Sequence, residues 1–417
     1  MTEGKEKSCS FNEIDAVFEA GKILVESRAE IQRIEDTMQH MAAALGIRQF
    51  DSYVENNGIF IAGINREGVQ ETRVASVKQS DIHLGRIESV NSLSREMDAH
   101  REMPLEKLYC RLQEIRQVTL EPLWKTLLTY FIGTGCLTLA IGSSWRDSLS
   151  SAISSLIMGL VLYLIGNRIH AAVLRTIIST AIVTISANFL CLFGLGSNRG
   201  LIILGGLLLL VPGAVFTNAI REFSENNFST GMTLLTSSVL TCISMSIGVV
   251  LATDLLPFAD QMTDFFSDGV HSPAALLFRT LMAGIATMAF AVLFHTPRHY
   301  YLDQGLLGAI SWMLCLVMSM LFHKAGPAIF IPAFVTAMLS RILAVRRKCP
   351  RTIFLYSSFF PLLPGLSLYW GFYLLITGSA VRGWSYMHAC FVTAFAIALA
   401  ISIVQEIPAK FFSCFEK

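Results

Sequence analysis

Two rhythms of apolar and polar positions divide this chain, and the change falls near residue 120. From Trp124 onward ten apolar stretches follow one another, at about 124–141, 149–166, 170–193, 201–220, 231–252, 274–294, 304–321, 325–343, 353–376 and 385–405. Each is close to the roughly 20 residues that carry a helix across about 30 Å of hydrocarbon. Before residue 120 the pattern is that of a water-facing domain. Ile14, Val17, Phe18, Gly21, Leu24 and Val25 recur at helical spacing within 11–27. Ile31, Ile34, Met38, Met41 and Leu45 do so within 29–45, and Gly46 stands where a C-terminal cap belongs. Three strands are predicted near 50–55, 58–64 and 70–77, between the turn signals Asn56-Asn57-Gly58 and Asn65-Arg66-Glu67-Gly68. Helices over about 82–100 and 104–120 complete this part.

The apolar stretches repeat. Leu210-Val211-Pro212-Gly213 and Leu362-Leu363-Pro364-Gly365 lie 152 residues apart, with Arg199 over Arg351 and Gly231 over Gly383 at the same offset. Moving the first five stretches by 152 lands them within about three residues of the second five. A second copy that begins after an odd number of crossings enters the bilayer from the opposite side. The predicted fold is therefore an α-helical membrane protein with ten transmembrane helices as two inverted five-helix repeats, preceded by an α+β cytoplasmic domain. The expected boundaries are 1–120 for the cytoplasmic domain, 121–252 for the first repeat, 253–272 for an external acidic loop and 273–417 for the second repeat.

Charge fixes the orientation. Arg341, Arg346, Arg347, Lys348 and Arg351 follow the eighth stretch, and excess Lys and Arg mark cytoplasmic loops. Asp254, Asp260, Asp264 and Asp268 lie between the repeats without Lys or Arg, which suits the outer face. Both termini are then cytoplasmic, in accord with a polar N-terminus that lacks a signal-peptide core. Composition agrees: 53% of residues are hydrophobic and 15% charged. Residues 1–122 hold 21 of the 31 Asp and Glu. A net charge of +1 without a basic tract points to no nucleic-acid partner, and nine scattered cysteines without a C-x-x-C pair suggest neither metal nor disulfide. No cofactor motif is present.

The Pro-Gly pairs carry the chemistry. Proline lacks the N–H donor and clashes with the carbonyl four residues back, so Pro212 and Pro364 free the carbonyls of Leu208 and Phe360 near the midplane, and Pro361 does the same to Ser357. A half-helix beginning after each break presents free N–H groups and the positive end of its dipole, which suits a carboxylate. Matched breaks in two halves of a membrane protein point to a carrier's binding site. Candidate substrate-binding residues are Pro212, Gly213, Thr217, Asn218, Pro364, Gly365, Ser367, Tyr369 and Trp370. Glu222 is the candidate coupling group for protons, because no apolar core holds an acid; Asp147, Asp254 and Asp303 are the alternatives. Arg221 pairs with Glu225 at a solvated helix end, Asn188 needs a partner on another helix, and Arg175 and Arg279 reach toward the interface. The charged run Glu26, Glu30, Arg33, Glu35 and Asp36 reads as pairing along a solvated helix, and Asp81 with His83 is too little for a catalytic pair.

Glu26-Ser27-Arg28-Ala29-Glu30-Ile31-Gln32-Arg33-Ile34-Glu35-Asp36-Thr37-Met38 resembles the opening motif of the threonine/serine exporter family. So do Thr72-Arg73-Val74, Leu84-Gly85-Arg86 and Asn91-Ser92-Leu93-Ser94-Arg95, and both Pro-Gly segments are similar to its two transmembrane motifs. The resemblance spans nearly the whole chain, in the fused form of a transporter that elsewhere occurs as two chains. It implies gradient-driven export of threonine and serine across a bacterial inner membrane. Related two-chain members are linked to succinate, so a C4 dicarboxylate is the alternative substrate; a membrane-anchored hydrolase with a catalytic N-terminal domain is the alternative class. Implied partners are a small-molecule substrate, membrane lipid and protons, with a homo-oligomer left open.

Overall fold

The structure is a computed structural model that describes residues 11–78, 82–99, 103–118, 121–166, 168–169, 171–255, 272–322, 325–412 and 414. Most of the expected acidic loop, and Asp81 of the Asp81–His83 pair, lie outside the described residues. The chain forms two compact units, residues 1–120 and 121–417.

In the first unit, α1 (Glu13–Glu26) and α2 (Ile31–Leu45) are followed by β1 (Arg48–Glu55), β2 (Gly58–Ile64) and β3 (Gln70–Ser76), then α3 (Leu84–Ala99) and α4 (Leu105–Arg116). The strands form one antiparallel sheet in the order β1-β2-β3. Gly46 ends α2 at φ +76°, the left-handed conformation glycine adopts without a Cβ penalty. Ile14, Val17, Leu24, Ile34, Met38, Ile59 and Ile61 are buried together between helices and sheet. One member of the charged run on α1 and α2 reaches beyond its own helix. Glu26 takes Arg116 of α4 at 3.0 Å, which joins two helices across the unit. Partial burial pushes the Glu35 carboxyl above its ordinary range; a Val54 backbone hydrogen bond opposes the rise, and Asp36 and Asp51 add to it.

The second unit is helical. It comprises α5 (Leu123–Ile141), α6 (Trp145–Ile165), α7 (Ala172–Leu192), α8 (Arg199–Leu207), α9 (Gly213–Ser224), α10 (Phe228–Leu255), α11 (Pro273–Leu293), α12 (Tyr301–Leu321), α13 (Ala325–Arg347), α14 (Thr352–Ser358), α15 (Gly365–Ile376) and α16 (Ala380–Glu406). Among the described residues, eight helices are long and apolar enough to cross a membrane. A ninth span is available if α14 and α15, bent by 45°, act as one. The fourth apolar stretch divides into α8 and α9, of 9 and 12 residues, each too short to cross alone.

The same backbone geometry recurs between the two halves of this unit. Left-handed residues end α5 at Gly142 and α11 at His295, α7 at Gly194 and α13 at Lys348, and α9 at Asn226 and α15 at Gly378. The last pair is 152 residues apart and the others 153 and 154. Around the last pair the hydrogen bonds match as well. Asn227 N donates to Glu222 O at 2.9 Å where Ser379 N donates to Leu374 O at 2.8 Å. Gly231 N reaches Asn227 O at 2.9 Å where Gly383 N reaches Ser379 O at 2.9 Å. Gly231 lies so close to Phe223, and Gly383 to Leu375, that an added Cβ would come within 2.6 and 2.9 Å of those side chains. The packing crosses over: α9 packs on α10 and α16, α15 on α16 and α10, and α5 lies against α11.

Two expectations about arginines need correction. Arg341 does not project into a basic loop; its guanidinium donates to the carbonyls of Val404 and Gln405 at the end of α16 and lies over the Phe412 ring. Arg221 pairs with Glu225 at 3.8 Å as expected, but the helix end is not solvated, since only 5% of Arg221 is exposed.

Candidate functional site

The two breaks have one construction. Each opens on a proline N-cap, Pro212 at φ −81° and ψ 41° and Pro364 at φ −78° and ψ 27°. Each is followed by a 12-residue helix beginning at glycine. Phe216 N closes on Pro212 O at 2.9 Å, and Leu368 N on Pro364 O at 3.0 Å. The approach to the breaks differs. Leu207 O collects the N–H groups of Leu210 and Val211 before Pro212, whereas a tight turn over Phe360–Leu362 precedes Pro364. In that turn Leu363 N reaches back to Phe360 O at 3.4 Å, so the Phe360 carbonyl is not left wholly free, as the proline argument alone had it.

The breaks meet. A Cβ built on Gly213 would lie 3.0 Å from both Cα and N of Gly365, and one on Gly365 would lie 2.5 Å from a Val211 methyl. Backbone approaches backbone here, and only glycine permits it at both positions. Leu208 and Leu209 of the first break, and Phe360 and Leu366 beside the second, share one apolar cluster with Ala283, Ala286 and Phe290 of α11 and Leu137 of α5. The first turns of α9 and α15 therefore come together, each carrying about half a positive elementary charge from its unsatisfied N–H groups.

Thr217 and Tyr369 are the fifth residues after Pro212 and Pro364 and sit 152 positions apart. They are 4% and 0% exposed, and neither hydroxyl has a hydrogen-bond partner among the described residues. Leaving a buried hydroxyl unpaired costs about 1–3 kcal/mol. Asn218 is half-buried, and its Nδ2 donates to the Tyr356 hydroxyl of α14 at 3.3 Å. Ser367 is half-buried in the first turn of α15. Trp370 is 2% exposed and stacks on Tyr373, with ring centroids 5.1 Å apart, so its face meets protein.

Glu222 belongs to the far end of α9, ten residues from Pro212 and so about 15 Å along the helix. It is 4% exposed, accepts from Asn227 Nδ2 at 2.9 Å and lies 3.4 Å from Arg221 Nη2. The fold thus brings Pro212, Gly213, Pro364 and Gly365 into one place and puts Glu222 elsewhere. Asn188 is 1% exposed, and among the described residues neither end of its amide finds the interhelical partner expected of it. Arg279 lies against Gly142, whose φ of +111° ends α5.

Asp147 received little weight from the sequence and is one of the most densely bonded groups in the unit. At 3% exposure its carboxylate accepts from Ser197 N at 2.6 Å, Asn198 N at 3.0 Å and Ser144 Oγ at 2.7 Å. The signal was Ser144-x-x-Asp147 ahead of an apolar run, a helix-capping pattern. Among the described residues no cluster of three His, Cys, Asp or Glu side chains is placed to hold a metal.

The helical unit is a bundle of apolar helices in which two broken helix pairs meet at their breaks, and comparison with known proteins identifies a multi-pass membrane transporter rather than an enzyme. A family model described as putative threonine/serine exporter matches residues 15–256, and a second, Threonine/Serine exporter, ThrE, matches 279–407. The chain belongs to the threonine/serine exporter family, with the parts covered by both models fused in one polypeptide. It is 22% identical over 343 residues to the threonine/serine exporter of Corynebacterium glutamicum, covering 79% of this chain and 68% of the relative. It is 21% identical over 237 residues to the probable succinate transporter subunit YjjP of Escherichia coli, covering 56% of this chain and 91% of the relative. The YjjP of Klebsiella aerogenes is 22% identical over 231 residues, 55% of this chain and 88% of the relative. No solved structure matches.

Proposed function

We propose that this transporter exports small hydroxy amino acids, threonine and serine, across a bacterial inner membrane, and that the substrate lies beside the crossing of the two Pro-Gly breaks. The observation that carries the reading is the contact of Gly213 with Gly365. It sets two positive helix ends side by side in an apolar cluster, where they repel each other until an anion arrives. The substrate carboxylate answers that charge. The hydroxyls of Thr217 and Tyr369, one at the same step of each half-helix, supply the polar partners, with Asn218 and Ser367 at the margin. The Leu208 carbonyl, which Pro212 deprives of a donor, accepts from the substrate ammonium. Trp370 shapes the wall from behind.

In the same reading the helical unit is two inverted five-segment repeats with ten crossings, α8 with α9 and α14 with α15 each counting as one. The caps and hydrogen bonds recurring at 152 to 154 residues support that count. Residues 1–120 form an α+β cytoplasmic domain, both termini are cytoplasmic, and Glu222 couples export to protons. A C4 dicarboxylate is the second reading, favoured by two adjacent positive helix ends and by the names of the two YjjP relatives.

Competition in everted vesicles separates them. Excess threonine or serine is expected to suppress uptake of labelled threonine, and excess valine or succinate to leave it nearly unchanged. Carriage of succinate but not threonine would overturn the amino-acid reading and leave the opposed-dipole site standing.

A further inference from the structure

Asp147 and Asp303 occupy the same place in two different helices. Each is the third residue of a long span, α6 for Asp147 and α12 for Asp303. Each holds the stretch of chain that leads into one of the short half-helices. Asp147 grips Ser197 and Asn198, the two residues before α8. Asp303 binds Arg347 at 2.8 Å, at the end of α13 and just ahead of α14. Side chains behind each acid complete the hold: Ser150 Oγ donates to Leu195 O at 3.0 Å and Ser151 Oγ to Ile202 O at 3.3 Å, while Gln304 Nε2 donates to Ile353 O at 2.7 Å.

We propose that Asp147 and Asp303 are a pair of positioning residues, latches that fix the outer ends of the two interrupted spans, and that the Asp147 latch opens when its carboxylate takes up a proton. Both Asp147 oxygens act as acceptors, toward Ser197 N and Ser197 Oγ on one side and Ser144 Oγ on the other. A proton on Oδ2 can be donated to either serine hydroxyl, but the backbone N–H groups of Ser197 and Asn198 then face a neutral acid in place of a carboxylate, and a hydrogen bond to a charged acceptor is roughly twice as strong as one to a neutral one. The released segment is the N-terminal end of α8, whose dipole the carboxylate also neutralises. Loosening α8 moves the first break, because only Leu208 to Val211 separate it from Pro212.

Charged and titratable groups lie near this end of α6, among the described residues. Arg146 lies on its own helix with its guanidinium over Trp145. Arg199 of α8 hydrogen-bonds the Cys191 thiol of α7, and both the guanidinium and Asp147 act on that thiol. Arg279 of α11 sits at the end of α5 against Gly142. These arginines keep their charge over the whole working range, so Asp147 is the carboxylate that changes the latch. The inference rests on the transporter reading for what the motion achieves, but the latch itself can be tested without a substrate.

The test follows access to the latched loop in the full chain. Leu195→Cys, at a position 49% exposed in the loop, is introduced into a cysteine-free background and labelled with a membrane-impermeant maleimide. Rates are measured between about pH 8 and about pH 4, the range over which a carboxylate loses its charge. Each is divided by the rate for the same protein carrying Asp147→Asn at the same pH, which removes the titration of the thiol. At pH near 8 the ratio is expected to be about 0.1 and to climb toward 1 as the pH falls, with Asp147→Glu keeping the response. A ratio that stays flat with pH overturns the latch. If Asp147→Asn fails to reach the membrane, the Asp147→Glu protein supplies the reference: a pH profile of labelling displaced from that of the parent supports the latch, and coincident profiles overturn it. The Asp303 partner is tested by exchanging charges, Asp303→Arg with Arg347→Asp. Each single variant should lose most transport and the exchange should restore it; an exchange no better than the singles removes Asp303 from the pair. A responsive loop in a protein that carries no threonine would leave the latch intact and defeat only the substrate reading.

Discussion

The two broken helix pairs, α8 with α9 and α14 with α15, share the backbone course from the break onward and differ in nearly every side chain. Both break at Pro-Gly, restart in a 12-residue helix and turn through a left-handed residue into a helix of 28 or 27 residues. Yet the first restart carries Thr217, Asn218, Arg221 and Glu222, while the second carries Tyr369, Trp370, Tyr373 and Leu374 at the same steps. What is kept is therefore the geometry of the break, and the chemistry is divided: polar and ionic on one half-helix, aromatic on the other. A site with two like halves would bind a symmetric ligand best. One with unlike halves can hold a carboxylate by the backbone and distinguish the remainder of the substrate by side chains.

The largest expected effect comes from separating the halves. Gly213→Val or Gly365→Val puts branched carbon where the opposing backbone already lies at 3.0 to 3.2 Å, so the breaks must move apart. Transport should fall at least tenfold, the equivalent of about 1.4 kcal/mol, with membrane-inserted protein still detectable on blots. Near-normal transport by both variants would mean that the contact is incidental.

A smaller effect sharpens the division of labour. Thr217→Val and Tyr369→Phe each delete a buried hydroxyl that has no partner among the described residues, so thermal stability should hold or rise slightly. Preference for threonine over valine should drop several-fold in each, measured as the ratio of transport rates. Unchanged preference would put the hydroxyl-reading groups elsewhere, with Asn218 and Ser367 next.

Glu222→Gln is the mildest of the set. The amide keeps an acceptor for Asn227, and Arg221, which loses the neighbouring charge, retains Glu225 at 3.8 Å as a counter-ion. The protein should therefore still fold with some loss of stability, and the dependence of export on pH should flatten. If the profile is untouched, coupling passes to Asp147.

Periodicity exposed the helices and strands well and the tertiary partners poorly. Glycine-marked turns, proline breaks and hydrophobic spacing are local, so α1, α2, the three strands and both breaks lie within a few residues of where the sequence puts them. The contact of Gly213 with Gly365 is not local, and nothing in either Pro-Gly pair says which way its half-helix leans. Asp147 stayed hidden for the opposite reason: an acid at the start of an apolar run reads as a helix cap, and its second set of partners lies 50 residues on. Glu222 looked close to the break by residue count, but ten helical residues carried it away. Arg341 looked like a free loop charge, but its partners, the carbonyls at the end of α16, lie more than 60 residues on.

Whether the paired breaks are the substrate site is tested most directly by the affinity of the purified full chain for labelled threonine, compared among the parent, Pro212→Ala, Pro364→Ala and the double variant. Alanine lets each helix run on, at little cost to stability, and removes the half-helix ends. Each single variant should bind at least tenfold more weakly, and the double should show no saturable binding while its circular dichroism matches the parent. Parent-like affinity in all three variants would contradict the account and leave Pro212 and Pro364 as kinks in the bundle.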